Sequence, residues 1–190
     1  MTHTAAHDGG PSPVVPTRPV AIIVMGTQGV GKTTIGTRLA SQLGVPFIDG
    51  DRLHPARNVE RMASGQPLSD EDRAPWLRIV GEALAEHQAS GGVVIACSAL
   101  KRSYRDVLRA HVPTTYVVEP WGPIELVQDR VRDRTHEYMP PELLASQYET
   151  LEPLADDERG IRVNVAPTPE QIVETVLEHY QRESANQEQS

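Results

Sequence analysis

Val20-Ala21-Ile22-Ile23-Val24-Met25-Gly26-Thr27-Gln28-Gly29-Val30-Gly31-Lys32-Thr33 is the stretch from which the fold can be read. Its first six residues are an unbroken apolar run rich in β-branched side chains, the pattern of a short strand buried on both faces. The next eight match G-x-x-x-x-G-K-[ST], a loop whose glycines let successive N–H groups point inward at phosphate oxygens. Behind the loop, Ile35, Leu39 and Leu43 recur at helical spacing and Gly44 follows, so a helix is predicted over Lys32 to Leu43. Strand, glycine loop and helix in that order form the context that gives the motif its meaning. The helix turns its positive dipole end toward the bound phosphates.

Outward from that unit, short strands and helices alternate. Strands are predicted at Pro46 to Asp49, Val93 to Cys97, Thr114 to Glu119 and Ile161 to Val165. Helices are predicted at Arg57 to Ala63, Asp72 to Gln88, Leu100 to Ala110, Pro123 to Arg134 and Glu142 to Tyr148, with a last one from Pro169. Its core face would be Ile172, Val173, Val176, Leu177 and Tyr180. Such alternation predicts an α/β fold with a five-stranded parallel sheet and helices on both faces. Residues 1–18 read as a flexible tail, 19–182 as a single domain, 183–190 as a frayed end, and a polar segment at about 135–141 as a loop.

Composition narrows the function. The chain has 190 residues, 38% hydrophobic and 23% charged, within the range of one globular domain. No apolar run approaches the ~20 residues of a membrane-crossing helix, and the start has neither the basic segment nor the apolar stretch of a secretory signal. A formal net charge of −8 argues against nucleic acid or an anionic membrane as partner. The single cysteine, Cys97, excludes an internal disulfide framework and fits a reducing compartment, hence a cytoplasmic protein. Of 18 Lys and Arg residues only Lys32 and Lys101 are lysines. Because ammonium and guanidinium groups are not interchangeable, both are candidate site residues.

The loop predicts ATP and Mg²⁺ as cofactors. Gly26, Thr27, Gln28, Gly29, Val30, Gly31, Lys32, Thr33 and Thr34 would cradle the nucleotide, with Lys32 bridging the terminal phosphates and the Thr33 hydroxyl reaching magnesium. The acidic pair that ends an apolar strand in motor and transporter ATPases is missing after Cys97. With lysine only at 32 and 101, the Asn-Lys-x-Asp of a GTPase is missing too. Asp49-Gly50-Asp51 follows the second strand instead. Residues two apart in an extended chain project to one side, so both carboxylates are expected to face the loop. Asp49 would hold the metal, and Asp51 would orient an acceptor hydroxyl and take its proton. A small-molecule kinase is the reading these residues carry, with a nucleotide-binding regulatory protein on the same fold as the alternative class.

Several segments add a resemblance. Met25-Gly26, Asp49-Gly50-Asp51-Arg52-Leu53-His54-Pro55, Asn58, Met62-Ala63-Ser64-Gly65-Gln66-Pro67-Leu68 and Asp70-Glu71-Asp72-Arg73-Ala74-Pro75-Trp76-Leu77 resemble the gluconokinase family. So do Cys97-Ser98-Ala99-Leu100-Lys101 with Tyr104-Arg105-Asp106, Ser146-Gln147 and Leu151-Glu152, in the same order over about residues 20–180. The resemblance implies a fold similar to shikimate and adenylate kinases with a lid at about 135–141, and transfer of phosphate from ATP to gluconate, giving 6-phosphogluconate. Other sugar acids or a shikimate-like acid stay open as acceptors. Relatives of that kind are commonly homodimers, and nothing in this sequence reads an oligomeric state.

The carboxylate of gluconate needs fixed positive charge. His54, Arg57, Arg61, Lys101 and Arg105 lie in the segments expected around it, and Lys101 and Arg105, four apart on a predicted helix, would form one cationic wall. Arg130 and Arg134, also one turn apart, would close over the ATP phosphates. Asn164 to Thr168 resembles the part that lines adenine. Two features depart from the family pattern: Glu137-Tyr138-Met139 after His136, and Thr27-Gln28 within the loop.

Overall fold

A computed structural model describes residues 18–132 and 141–186. Five strands, β1 (Val20–Met25), β2 (Phe47–Asp49), β3 (Gly92–Cys97), β4 (Tyr116–Trp121) and β5 (Gly160–Asn164), form one sheet in the order β2-β3-β1-β4-β5. All four pairings are parallel. The helices are α1 (Lys32–Leu43), α2 (Ala56–Ala63), α3 (Asp70–Ala89), α4 (Arg102–His111), α5 (Ile124–Arg132), α6 (Pro141–Thr150) and α7 (Pro169–Asn186).

Two apolar layers sandwich the sheet, and β1 shows why. Val20, Ile22 and Val24 face one core with Leu39 of α1 and Ile172, Val173 and Val176 of α7. Ala21, Ile23 and Met25 face the other, with Trp76, Leu77, Val80 and Leu84 of α3 and Leu108 of α4. Every residue of β1 and β3 is buried, which accounts for their continuous apolar runs where a one-sided strand would alternate. The central strand thus delivers the glycine loop to the middle of the sheet's carboxyl edge, the edge at which parallel α/β folds bind ligands.

Several boundaries differ from the sequence expectation by one to three residues. Helix α3 starts at Asp70 instead of Asp72, because Ser69 and Asp72 form a reciprocal capping box. Helix α4 starts at Arg102 and leaves Lys101 at its N-cap with extended backbone, φ −97° and ψ 150°. Strand β4 is shifted two residues onward, to Tyr116–Trp121. Helix α7 continues past Glu183 to Asn186, where a frayed end was expected. The expected lid at about 135–141 lies outside the described residues apart from Pro141, which opens α6.

Candidate active site

The loop between β1 and α1 has the geometry its sequence requires. Gly26, Gly29 and Gly31 have φ of 134°, 79° and 104°, conformations that a side chain would strain. Gly31 is the N-cap of α1, and its carbonyl accepts the helix's first hydrogen bond from Ile35 N at 3.0 Å. Lys32 Nζ donates to the Thr27 carbonyl at 3.0 Å, so the ammonium rests against its own loop.

Asp49 and Asp51 line one cleft together with Gln28, Gly29, Gly31, Lys32 and Thr33. The expected juxtaposition is present, but its cause differs from the extended chain predicted. Gly50–Leu53 is a 3-10 turn, and Asp49 caps it by accepting from Asp51 N at 3.1 Å. Gly50 has no alternative between the two carboxylates, since a Cβ there would lie 2.7 Å from the Ala96 carbonyl and 2.8 Å from Cys97 Cβ. From the other side the buried indole of Trp76 donates from Nε1 to the Gly50 carbonyl at 2.8 Å. The turn is therefore wedged between β3 and α3. Beneath it, burial pushes the Cys97 thiol up to about 12, with Asp51 and Asp49 adding to the rise and Lys32 opposing it. That inert thiol lies within the field of the same three charges.

The donor set fits magnesium. Thr33 and Asp49 line the cleft, and the bond from Asp51 N uses Asp49 Oδ1, leaving the second carboxylate oxygen outside that bond. A hard cation that keeps several waters and uses phosphate oxygens needs few protein ligands. No group of three or more metal-ligating His, Cys, Asp or Glu side chains occurs among the described residues.

His54 stacks on Trp76 with ring centroids 4.3 Å apart and an interplanar angle of 13°. Buried Asn58 donates from Nδ2 to the Asp72 carbonyl at 2.8 Å, and the same Nδ2 lies 3.3 Å from His54 Nδ1. An amide nitrogen only donates, so Nδ1 accepts and the ring proton resides on Nε2. Burial, with the charge of Arg73 adding to it, lowers the His54 pKa to about 4. The ring is a neutral donor at physiological pH.

The expected cationic wall divides. Lys101 Nζ holds Asp70 at 2.7 and 2.9 Å, and Tyr104 Oη donates to the same carboxylate at 2.5 Å. The lysine's hydrogen bond holds the Asp70 pKa below the usual carboxylate range, and Tyr104 adds to this. Arg105 is not beside Lys101: it is 1% exposed and pairs with Glu158 through Nε at 2.7 Å and Nη2 at 2.6 Å. Its Nη1 also donates to the Glu152 carbonyl at 3.0 Å. The expectation that Arg105 meets substrate is corrected accordingly, since its guanidinium is turned inward and committed to the 151–158 segment. Arg57 and Arg61 of α2 both approach Asp72, at 3.9 and 3.6 Å, and Arg57 is largely exposed. Arg134 lies outside the described residues, and Arg130 is placed only as a residue of α5. In the expected adenine region, Asn164 Oδ1 accepts from Ala166 N at 2.7 Å and Thr168 Oγ1 accepts from Gln171 N at 3.3 Å.

Sequence reasoning assigned no role to Asp70, Trp76, Glu158 or Gln147. Gln147 Oε1 accepts from Gln28 N at 2.7 Å across 119 residues of chain, and no local pattern announces a contact of that range.

A parallel sheet in this order, a glycine loop leading into a helix, and two carboxylates from the neighbouring strand end in the same cleft define a P-loop small-molecule kinase of the shikimate kinase type. A sequence model of the family described as shikimate kinase matches residues 28–181. Shikimate kinase from Aquifex aeolicus, 18% identical with a TM-score of 0.57 over 86% of this chain and 97% of that one, shares the fold. Within that class the chain belongs to the gluconokinase family. It is 46% identical to a gluconokinase of Gluconobacter oxydans over 168 residues, 87% of this chain and 94% of the relative. The crystal structure of a gluconokinase from Sinorhizobium meliloti superposes with a TM-score of 0.82 at 43% identity, covering 88% of this chain and 95% of that one. The protein is thus a kinase with ATP as its phosphoryl donor.

Proposed function

We propose that this kinase transfers the γ-phosphoryl group of ATP to the 6-hydroxyl of D-gluconate, giving 6-phosphogluconate and ADP, in the cytoplasm and with magnesium as the metal. The observation that carries the reading is the shared cleft: Asp49 and Asp51 open onto the space bounded by Gly29, Gly31, Lys32 and Thr33. In a dissociative phosphoryl transfer the protein's task is positioning and charge stabilisation. The loop amides and Lys32 would face the charge that builds on the phosphates, and Thr33 and Asp49 would hold the magnesium, which would neutralise more of that charge. Asp51 aligns the acceptor O–H. As the oxygen–phosphorus bond forms and the bond to ADP breaks, the hydroxyl proton passes to the Asp51 carboxylate.

The acceptor's far end is assigned to the wall made by α3 and the start of α4. Lys101 is the carboxylate partner, its ammonium already holding a carboxylate, that of Asp70, at 2.7 Å. His54 offers an Nε2 proton to a substrate hydroxyl, and Arg57 and Arg61 add positive potential from α2. Family membership supports gluconate over other small acids.

The test is ADP release across a panel of sugar acids and shikimate, with the phosphorylated carbon located by NMR. Turnover on gluconate at the 6-position is expected, and Asp51→Asn is expected to lower kcat by two or more decades, about 3 kcal/mol in the barrier. No turnover with millimolar gluconate while another acid is phosphorylated would overturn the substrate, and near-normal kcat in a folded Asp51→Asn would overturn the proton acceptor.

A further inference from the structure

One peptide unit of the phosphate loop is held at both ends. Its N–H, that of Gln28, donates to Gln147 Oε1 of α6 at 2.7 Å. Its C=O, that of Thr27, accepts from Lys32 Nζ at 3.0 Å. A trans peptide is planar with N–H and C=O pointing in opposite directions, so fixing one group aims the other. Tyr148, the next residue on α6, braces the same place. Its hydroxyl donates to the Gly122 carbonyl at 3.1 Å, and the Thr27 side chain lies near it. Consecutive residues of α6 thus lie against consecutive residues of the loop, with Gln147 supplying the hydrogen bond.

We propose that Gln147 is a positioning residue for Lys32: by holding the Gln28 N–H it sets the Thr27-Gln28 peptide plane and so aims the Thr27 carbonyl at the ammonium. Three glycines at positive φ make this loop's backbone permissive. This unit itself turns about ψ of Thr27 and φ of Gln28, neither of them a glycine, and its two hydrogen bonds select among the planes that those torsions allow. If the plane turned over, donor and acceptor would exchange ends, and Lys32 would lose the Thr27 carbonyl as an acceptor. The identities of Thr27 and Gln28 matter little to the loop's grip on phosphate, but the acceptor that reaches them from α6 matters a great deal. The inference rests on the phosphate-binding role proposed for Lys32 and is independent of the acceptor sugar.

The experiment measures binding of a non-hydrolysable ATP analogue, with no acceptor present, in wild type, Gln147→Leu, Lys32→Met and the double variant. Leucine is a good helix former, and Gln147→Ala serves as a second variant. Gln147→Leu is expected to weaken the analogue about 5- to 10-fold, in line with loss of one hydrogen bond that orders the loop. In the Lys32→Met background the same change is expected to shift affinity less than 2-fold, because the route of its effect has been removed. Hydrogen exchange at the Gln28 amide is expected to accelerate about 10-fold in Gln147→Leu. Equal losses in both backgrounds would mean a merely structural contact and would overturn the proposal. So would an unchanged affinity, or an unchanged Gln28 exchange rate. Lys32→Met binding the analogue as wild type does would overturn the role of Lys32 itself, a separate result.

Discussion

Replacing Arg105 with Met discriminates between a binding arginine and a structural one. The guanidinium and the Glu158 carboxylate are each 1% exposed in their side chains, and two short bonds join them in a fork. Removing one partner of a buried pair typically costs about 3–5 kcal/mol, because the other charge is left behind without solvent. Here the residual charge is not abandoned: Arg109 Nη1 remains 2.7 Å from Glu158 Oε1, and Ala155 N donates to Oε2 at 3.1 Å. The lower end, about 3 kcal/mol, is therefore expected. For a chain of this size that is about 6–12 °C in Tm.

The acid side of the same perturbation has a definite sign. Burial alone would raise the Glu158 pKa, but the bonds from Arg105, the Ala155 N–H and Arg109 outweigh it and hold the pKa at about 2, below the ordinary 4.5. A depressed carboxylate pKa means that the stabilisation is complete above about pH 4.5 and is lost as pH falls toward 2. Arg105→Met should remove most of that acid-linked loss along with the stability. Thermal melts at pH 7 and between pH 5 and 2, paired with gluconate titrations well below Tm, make the assay. The expected result is a large fall in Tm with KM for gluconate within about 3-fold of wild type. An unchanged Tm with KM raised 10-fold or more would refute the argument and return Arg105 to the substrate pocket.

Lys101→Met should have the opposite signature. Asp70 is an exposed partner, and such pairs contribute about 0–1 kcal/mol, so Tm should move by less than about 4 °C while KM for gluconate rises at least 10-fold; an unaltered KM removes Lys101 from the substrate. Asp70→Asn, which releases the ammonium from a competing carboxylate, should leave that KM unchanged or lower, and a rise would show that Asp70 organises the site instead of competing for it. His54, with its pKa lowered to about 4, should stay neutral from pH 6 to 8, so its NMR shifts should be flat there. Because the unfolded ring binds its proton near 6.5, the folded state should gain stability as pH rises from about 4 to about 6.5. A His54 ring titrating near 6.5 would refute the assignment.

The features legible in the sequence are those in which local pattern and long-range packing agree. The six-residue run of β1 reads as doubly buried because both faces meet helices, and α1 was readable to the residue because Gly31 and Gly44 stop it at both ends. The phosphate loop is local in the same sense. What failed was placement by helical spacing. Lys101 and Arg105 are four apart in sequence, but α4 begins between them at Arg102, so the first leans out to Asp70 while the second turns into the core. The acceptor that claims Arg105 is 53 residues on, in a connector with no periodicity. Gln147 stands in a segment with the family's pattern, but its contact with the loop is not legible for a like reason. Its partner is a backbone N–H, and backbone leaves no mark in side-chain identity.

Asp49 and Asp51 face the loop for a reason other than strand alternation, and the reason constrains how their roles can be separated. Because Asp49 Oδ1 caps the turn through Asp51 N at 3.1 Å, the carboxylate proposed for the metal also fixes the backbone of the residue proposed for the proton. Truncating Asp49 to Ala removes the proposed metal oxygen and the cap on Asp51 N together, so a loss of turnover in that variant belongs to both residues. Asn at position 49 keeps an oxygen able to accept from Asp51 N and removes only the charge. The turn's other restraints, Trp76 Nε1 on the Gly50 carbonyl and the close approach of Gly50 to Ala96 and Cys97, do not depend on that charge. The position of Asp51 therefore survives the neutral substitution, and only the contrast between Asn and Ala at position 49 distinguishes magnesium binding from support of the acceptor.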